Sequence, residues 1–351
     1  MEKFTDFDPS ELNQLHWSKQ VDLIDQSLSK VIPVIKWYFK NVYGKVERPG
    51  ILPFYCDPER VGAFAISTEK LSAGHDSATF HLFVMLSMFQ ARRDVLIMQQ
   101  QRDLKLKSVK SLIDHSYIKK SVTNHFCTSM VSSEAFDAGC DVSKVGKLVD
   151  CFRHPASACH VKDATIIFNC MGDMGKLPTS AYLHIWKDSG ISKLFRDVLF
   201  KKASPSQRAD LLVKKFMKIY RIGRKLATMF VSALSVPTLA VGYTPWFPEV
   251  DGNELIIVDT NVASAIMKMR KVGASRTYEA SIKWIRALAG LIDLNQFHPN
   301  VPSYSPRLVQ QALYAFCSKS NRLSRNDPCK AFPNDCSTCS PSLCPFAKKK
   351  E

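Results

Sequence analysis

Residues 218–230, KIYRIGRKLATMF, hold the decision about how this 351-residue chain folds. Apolar residues recur at three- and four-residue spacing through SPSQRADLLVKKFMKIY (204–220), and the pattern resumes in RKLATMFVSALS (224–235). Only the short stretch YRIG (220–223) separates them. The spacing predicts two helices joined by a tight hinge. Gly223 lets the chain turn sharply there and opens the backbone N–H groups of the next helix, a terminus that binds phosphate readily. Many helical hairpins carry a glycine at the turn, so the hinge alone selects no function.

Outward from the hinge the helical pattern continues in both directions. WSKQVDLIDQSLSKVIPVIKWYFKNV (17–42) reads as a helix with a kink at Pro33. SATFHLFVMLSMFQARRDVLIMQQQ (77–101) is apolar nearly all round in its first half and reads as one buried central helix. Residues 105–160 give shorter, weaker patterns. VKDATIIFNCMG (161–172) and TSAYLHIWKDSG (179–190) read as helices around a DMGKLP turn, the second opening on a cap at Thr179 or Ser180. A Pro- and aromatic-rich stretch at 236–255 precedes NVASAIMKMRKV, SRTYEASIKWIRALAGLI and PRLVQQALYAFCSK. No strand alternation or repeat interrupts this series, so the expected architecture is all-α and two-lobed.

Bulk properties narrow the function. At 46% apolar and 23% charged residues the composition is that of a globular protein. No apolar run approaches the roughly 20 residues of a membrane span. The opening MEKFTDFDPSELNQ lacks a signal peptide's basic start and apolar core, so a cytosolic, nucleoid-associated or nuclear location is expected. Net charge is 48 − 32 = +16, and residues 101–234 alone carry 23 basic against 11 acidic side chains, or +12. A basic middle beside near-neutral flanks is the footprint of a polyanion partner, most often nucleic acid, although a lysine-rich solvated surface gives the same count.

Two further stretches carry chemistry. In IIVDTNVASAI (256–266) an apolar run leads to Asp259, and a helix begins at once. Asp259 or Thr260 is the natural N-cap; the functional alternative is a carboxylate held at a helix start, able to stabilise a cationic sugar or orient a water. In DPCKAFPNDCSTCSPSLCPF (327–346), Cys329, Cys336, Cys339 and Cys344 form a C-x6-C-x2-C-x4-C array in a loop that cannot pack on its own. In a reducing compartment metal is favoured over disulfides. Structural zinc commonly uses two C-x2-C units, whereas one such pair flanked by single cysteines suits a four-thiolate iron–sulfur cubane.

Taken in order, these motifs resemble the endonuclease III and adenine-glycosylase branch of the helix–hairpin–helix DNA glycosylases. That family runs from an L-P-G-V-G-x-K-x-A hairpin to a V-D-T/V-H/N motif and a closing C-x6-C-x2-C-x5-C. Upstream, FVMLSMFQARRDV is similar to its L-L-S-x-Q-x-x-D helix, which aligns Gln90 and Asp94. The resemblance covers roughly residues 78–100 and 205–346. It implies an all-α, two-lobed helix–hairpin–helix glycosylase fold with a C-terminal [4Fe–4S] loop (328–346). One lobe would combine residues 1–77 and 236–351, and the other would span 78–235 with a long insertion at about 103–200.

The roles it implies attach to particular residues. Lys225 stands where bifunctional members keep the amine that attacks the sugar C1′, and Asp259 where members keep the catalytic aspartate. Gln90 stands at the position that fills the gap left by an extruded base. Arg221, Gly223, Arg224 and Thr260 are the further DNA contacts, and the four cysteines the cluster ligands. The expected partner is duplex DNA with a damaged or modified base, gripped by a monomer and no membrane. Base extrusion precedes any such chemistry, and a cationic surface must hold the bent duplex meanwhile.

The chain departs from the family pattern at several places. Tyr220 and Arg221 replace the hairpin's proline and first glycine, and the last cysteine gap is four residues instead of five. Cys317 competes with Cys329 for the first ligand position. Tyr243, Trp246 and Phe247, in a segment longer than the family's, either stack on a base or pack structurally. CFRHPASACH brings Cys151, His154, Cys159 and His160 close in sequence, a weaker metal candidate. Lys176 in MGDMGKLPTSA is either a phosphate contact or part of a turn. Three functions therefore compete: a glycosylase with or without lyase activity, a non-catalytic nucleic-acid-binding protein on the same scaffold, and a zinc-stabilised helical adaptor.

Overall fold

The computed structural model describes residues 27–43, 52–90, 94–105, 109, 112–123, 127–140, 143–144, 147–148, 159–168, 174–188, 190–269 and 277–317. These residues are mostly helical, the all-α class that the apolar spacing predicts. The strand content among them is one antiparallel pairing of Ser143–Lys144 with Lys147–Leu148. No described helix is long and apolar enough to cross a membrane.

The first half of the helical series is α1 (residues 27–38), α2 (Pro58–Val61), α3 (Thr68–Ser72), α4 (Asp76–Ser87), α5 (Asp94–Asp103), α6 (His115–Thr123), α7 (Ser133–Gly139) and α8 (His160–Ile167). The second half is α9 (Leu177–Ala181), α10 (Gly190–Arg196), α11 (Val198–Lys202), α12 (Pro205–Phe216), α13 (Arg224–Ser235), α14 (Thr260–Met269), α15 (Tyr278–Gly290) and α16 (Pro306–Cys317). Wider π-helical turns continue two of them, Phe39–Tyr43 after α1 and Tyr182–Trp186 after α9. The chain divides into two compact units: Lys45–Ile257, and a discontinuous one joining Met1–Gly44 to Val258–Glu351.

The continuous unit is organised around aromatic rings. Phe216 of α12 and Phe230 of α13 meet edge to face at 4.8 Å, and Phe83 of α4 lies 5.1 Å from Phe230. Trp186 closes on Phe80 at 5.1 Å, and Trp246 on Phe230 at 5.5 Å. Each such ring removes about 150–250 Å² from water, and the edge-on pairs add roughly 0.5–1.5 kcal/mol beyond burial. The α12–α13 hairpin is thus held from behind by the largest side chains of the core. In the discontinuous unit, α14, α15 and α16 pack together, and Trp37 of α1 meets Phe316 of α16 at 5.2 Å.

Two local expectations are corrected. The 77–101 stretch is two helices. α4 ends at Ser87, and α5 begins at Asp94. The reason is tertiary: buried Gln101 on α5 donates from Nε2 to the Met85 carbonyl of α4 at 3.1 Å. Sixteen positions of straight helix would separate those groups by about 24 Å, so the chain must fold back on itself. The second correction is at 177–186, where the helix opens at Leu177 with Pro178 in its first turn instead of at Thr179 or Ser180. Those two hydroxyls bond elsewhere, Thr179 with the His160 ring and Ser180 with the Tyr220 backbone.

Candidate functional site

The hinge is built from both sides. α12 starts at a reciprocal capping box, in which Ser204 Oγ accepts from the Gln207 N–H and Gln207 Oε1 accepts from the Ser204 N–H. Arg208 fastens that end further, donating to the carbonyls of Phe200, Lys201 and Glu249 at 3.0, 3.0 and 3.1 Å. After α12 the turn is pinned by Ile219 and Ile222, both buried. Its left-handed residue is Arg221, with φ of 63°, and not Gly223, which is extended at φ −88° and ψ 174°. The sharp turn expected of Gly223 is therefore made by Arg221. Arg221 occupies a backbone region that a side chain enters at a penalty of roughly 1–2 kcal/mol.

Gly223 instead serves the opening of α13. As N-cap, Gly223 brings no capping side chain, and a Cβ there would meet nothing within 4 Å. Arg221, Gly223 and Arg224 are exposed, and Lys225 is half-buried one residue into the helix. The four leading N–H groups of a helix have no intrahelical acceptor, and the helix dipole adds partial positive charge there. Among the described residues none forms a hydrogen bond or ion pair with the Lys225 amine.

A brace that sequence reasoning missed stands behind the turn. Lys176 is 3% exposed, and its Nζ donates to the Asp137 carbonyl at 2.7 Å. The same nitrogen lies 4.2 Å from the centre of the Tyr220 ring and 5.7 Å from that of Phe136. Ser180 Oγ accepts from the Tyr220 N–H at 3.0 Å. The Asp137 side chain is itself held by His184 Nε2 at 2.9 Å. Lys176 therefore points inward, which disfavours the phosphate contact of the two alternatives the sequence leaves open. Its approach needs Gly175, where a Cβ would fall 2.1 Å from Thr165 Oγ1 on α8. Tyr220 at the hinge is the signal that could have found this brace, since an aromatic ring there offers a cation a face.

Gln90 follows the end of α4, half-buried, with Nε2 donating to the Ser87 carbonyl at 2.8 Å and contacting Met174 Sδ at 3.3 Å. Asp259 belongs to the other unit and precedes α14. Its Oδ1 accepts from the Val262 N–H at 2.7 Å and its Oδ2 from Asn261 Nδ2 at 3.3 Å. Asp259 is thus the cap, half-buried, while Thr260 is exposed as the first residue of the helix. α16 packs against α14 and brings a buried cation, Arg307, whose Nη1 donates to Gln310 and, at 3.0 Å, to Gln311. Burial pushes the Arg307 guanidinium down to about 10, opposed by the nearby Tyr38, Tyr314 and Asp259. Tyr38 is pushed up by its own burial. Nothing in the motif pattern singled out Arg307.

The remaining candidates separate cleanly. Trp246 is a core residue, and Tyr243 packs against that core, while Phe247 is exposed. Cys159 is buried and His160 bonds Thr179; Cys151 and His154 lie outside the described residues. Cys329, Cys336, Cys339 and Cys344 also lie outside them, whereas Cys317 is the half-buried last residue of α16. Among the described residues no three His, Cys, Asp or Glu side chains are grouped to hold a metal ion. No family model, curated protein or solved structure matches the chain.

Proposed function

We propose that this chain is a DNA glycosylase that removes a damaged or modified base from duplex DNA, with an associated AP-lyase step. The observation that carries the reading is the cationic start of α13: Gly223 brings no side chain to its N-cap, exposed Arg221 and Arg224 flank it, and Lys225 stands in the first turn. A helix terminus of this kind receives a DNA phosphate, and the basic middle of the sequence steers the duplex toward it.

On this reading the target nucleotide leaves the stack and Gln90 fills the gap. The Lys225 nitrogen attacks C1′ as the glycosidic C–N bond breaks, and the departing base takes the bonding pair and a proton. Asp259 stabilises the oxocarbenium character at C1′, its carboxylate preset by the Val262 N–H. The C1′–O4′ bond then opens, O4′ gaining a proton as the lysine nitrogen loses one, which gives the Schiff base; loss of a proton from C2′ expels the 3′-phosphate by β-elimination. Cys329, Cys336, Cys339 and Cys344 would hold a [4Fe–4S] cluster, whose four thiolate bonds would tie their segment together. Thr260 adds a phosphate contact beside Asp259.

One observation favours the non-catalytic reading: both carboxylate oxygens of Asp259 already have local partners, so the residue has structural work without any chemistry. Borohydride trapping decides the matter. Duplex oligonucleotides bearing a panel of lesions are incubated with the full chain, Lys225→Ala and Asp259→Asn. An adduct lost in Lys225→Ala establishes the bifunctional enzyme and names its base. Alkali-revealed abasic sites without an adduct, dependent on Asp259, mean water-directed excision. Tight DNA binding with neither signal on any substrate rejects catalysis and leaves a binding protein.

A further inference from the structure

From α11 through α13 the chain carries almost one sign of charge. Residues 198–248 hold nine Lys or Arg and a single acid, Asp210. Lys201, Lys202, Lys214, Lys215 and Lys218 are all exposed. Among the described residues no carboxylate pairs with Lys201, Lys202, Lys215 or Lys218, whereas Lys193, just upstream, is paired with Asp188 at 3.5 Å. A merely solvated helix face interleaves acids with bases, because like charges three or four residues apart repel. Cations at a helix C-terminus do suit its dipole. That field fades beyond the last turn, however, and gives no reason for residues 211–248 to contain no acid at all.

Geometry joins these lysines into one line. Ala209, Leu212, Val213 and Phe216 bury one side of α12, and Lys214 and Lys215 stand away from them. Lys218 follows in the turn and leads to exposed Arg221 and Arg224. At the other end Arg208, two turns before Lys215 on the same side, donates to the Phe200 and Lys201 carbonyls and lies over the Phe200 ring at 5.4 Å. Those contacts fasten α11 beside the lysine face of α12. Buried Phe200 and the Asp197 cap, which accepts from the Leu199 N–H at 2.8 Å, fix α11 further. The cations therefore sit on a preset edge that needs little ordering on binding. The 12 residues of α12 span about 18 Å, the rise of about five base pairs.

We infer that this face is a track for one arm of duplex DNA, running from the phosphate site proposed at the start of α13 along α12 to Lys201 and Lys202. It rests on the DNA reading above and extends it: the grip is one-sided and reaches about five base pairs from the target nucleotide. The rival occupant is an acidic protein, since Val198 and Leu199 stand 64% and 74% exposed beside Lys201. Between the two ends, however, the exposed side chains of α12 are lysines, Gln207 and Asp210. Protein interfaces centre on apolar side chains and are depleted in lysine, so this face suits phosphates better.

Fluorescence anisotropy across a salt series tests this with the full chain and duplexes bearing a tetrahydrofuran abasic-site analogue. One duplex has ten base pairs on each side of the analogue. Two others have the 5′ or the 3′ arm cut to three pairs, closed by an uncharged linker so that it stays paired. Shortening one arm should weaken binding about tenfold, and shortening the other should leave it unchanged. On the long duplex, the double variants Lys215→Gln with Lys218→Gln and Lys201→Gln with Lys202→Gln should each lower the slope of log affinity against log salt by about two units. On the duplex that lacks the sensitive arm, the second variant should match the parent. Melting midpoints equal to the parent's keep a folding defect from mimicking the result. Slopes unchanged in both double variants, with Arg221→Gln still lowering the slope by about one, overturn the track, leave the phosphate site at α13 standing and assign α11 to the acidic protein. Absence of salt-dependent duplex binding by the parent rejects the DNA reading itself, and the track with it.

Discussion

Replacing Lys176 by methionine tests whether the hinge is braced from behind. Methionine keeps the length of the side chain and removes its donors. Left behind are the Asp137 carbonyl, now without its 2.7 Å donor, and a Tyr220 ring with no cation 4.2 Å from its centre. A hydrogen bond from a charged donor contributes about 1.5–3 kcal/mol, and a desolvated cation–π contact about 2 kcal/mol. Against these, the thioether no longer has to be stripped of water at a site only 3% exposed, which returns part of the sum. A net loss of about 2 kcal/mol follows, and for a unit of this size the melting midpoint drops by roughly 4–8 °C. A second readout separates brace from phosphate ligand. Loosening Tyr220 should weaken binding to an abasic-site duplex about tenfold, yet leave the slope of log affinity against log salt unchanged, because Lys176 neutralises no phosphate. An unchanged midpoint together with a slope reduced by about one unit would refute the reasoning and return Lys176 to the DNA surface.

Other perturbations give equally sharp expectations. Arg221→Gly relieves the left-handed backbone at φ 63° and should raise stability by about 0.5–1 kcal/mol in urea melts, while DNA affinity falls and the salt slope drops by about one phosphate contact. Asp259→Asn should leave stability within about 0.5 kcal/mol, since asparagine caps as well as aspartate, whereas Asp259→Ala should lose about 1 kcal/mol; both should abolish base release. For His81 the folded value of about 4 lies below the ordinary 6.5, so stability is full above pH 6.5 and declines as pH falls toward 4, by about 3 kcal/mol in all. Chemical denaturation across that window should show the decline in the parent chain and its absence in His81→Phe. Gly175→Ala forces a Cβ onto Thr165 of α8 and should destabilise the chain by about 2 kcal/mol or more, read as a lowered midpoint with the brace disrupted.

What the sequence made legible follows from where the information is stored. Arg224–Ser235 was readable to the residue because a 3.6-residue apolar rhythm runs between two strong boundaries, Gly223 and the prolines after Val236. The Asp259 cap was readable for the same local reason, a carboxylate directly before a helical pattern. The break between α4 and α5 was not, because Met88 and Phe89 continue the apolar run, and only the long-range bond from Gln101 to Met85 reveals the reversal. Direction was the other blind spot. Lys176 and Arg307 add to the basic count like any surface residue, yet both are buried, and nothing in their neighbours states which way they point. Gly223 shows the opposite error: a glycine invites a turn in the reading, while the strained residue is the arginine two positions before it.

Because Asp259 secures the first turn of α14 through the Val262 N–H, a lineage of such chains that gave up excision would still be selected to keep it. Lys225 has no comparable structural employment among the described residues. On the proposed glycosylase reading the two positions therefore age differently: the aspartate records the scaffold, and the lysine the chemistry. Across sister sequences, loss of Lys225 beside a retained Asp259 would be the fossil mark of an enzyme turned into a binding protein, and joint retention the mark of one still at work.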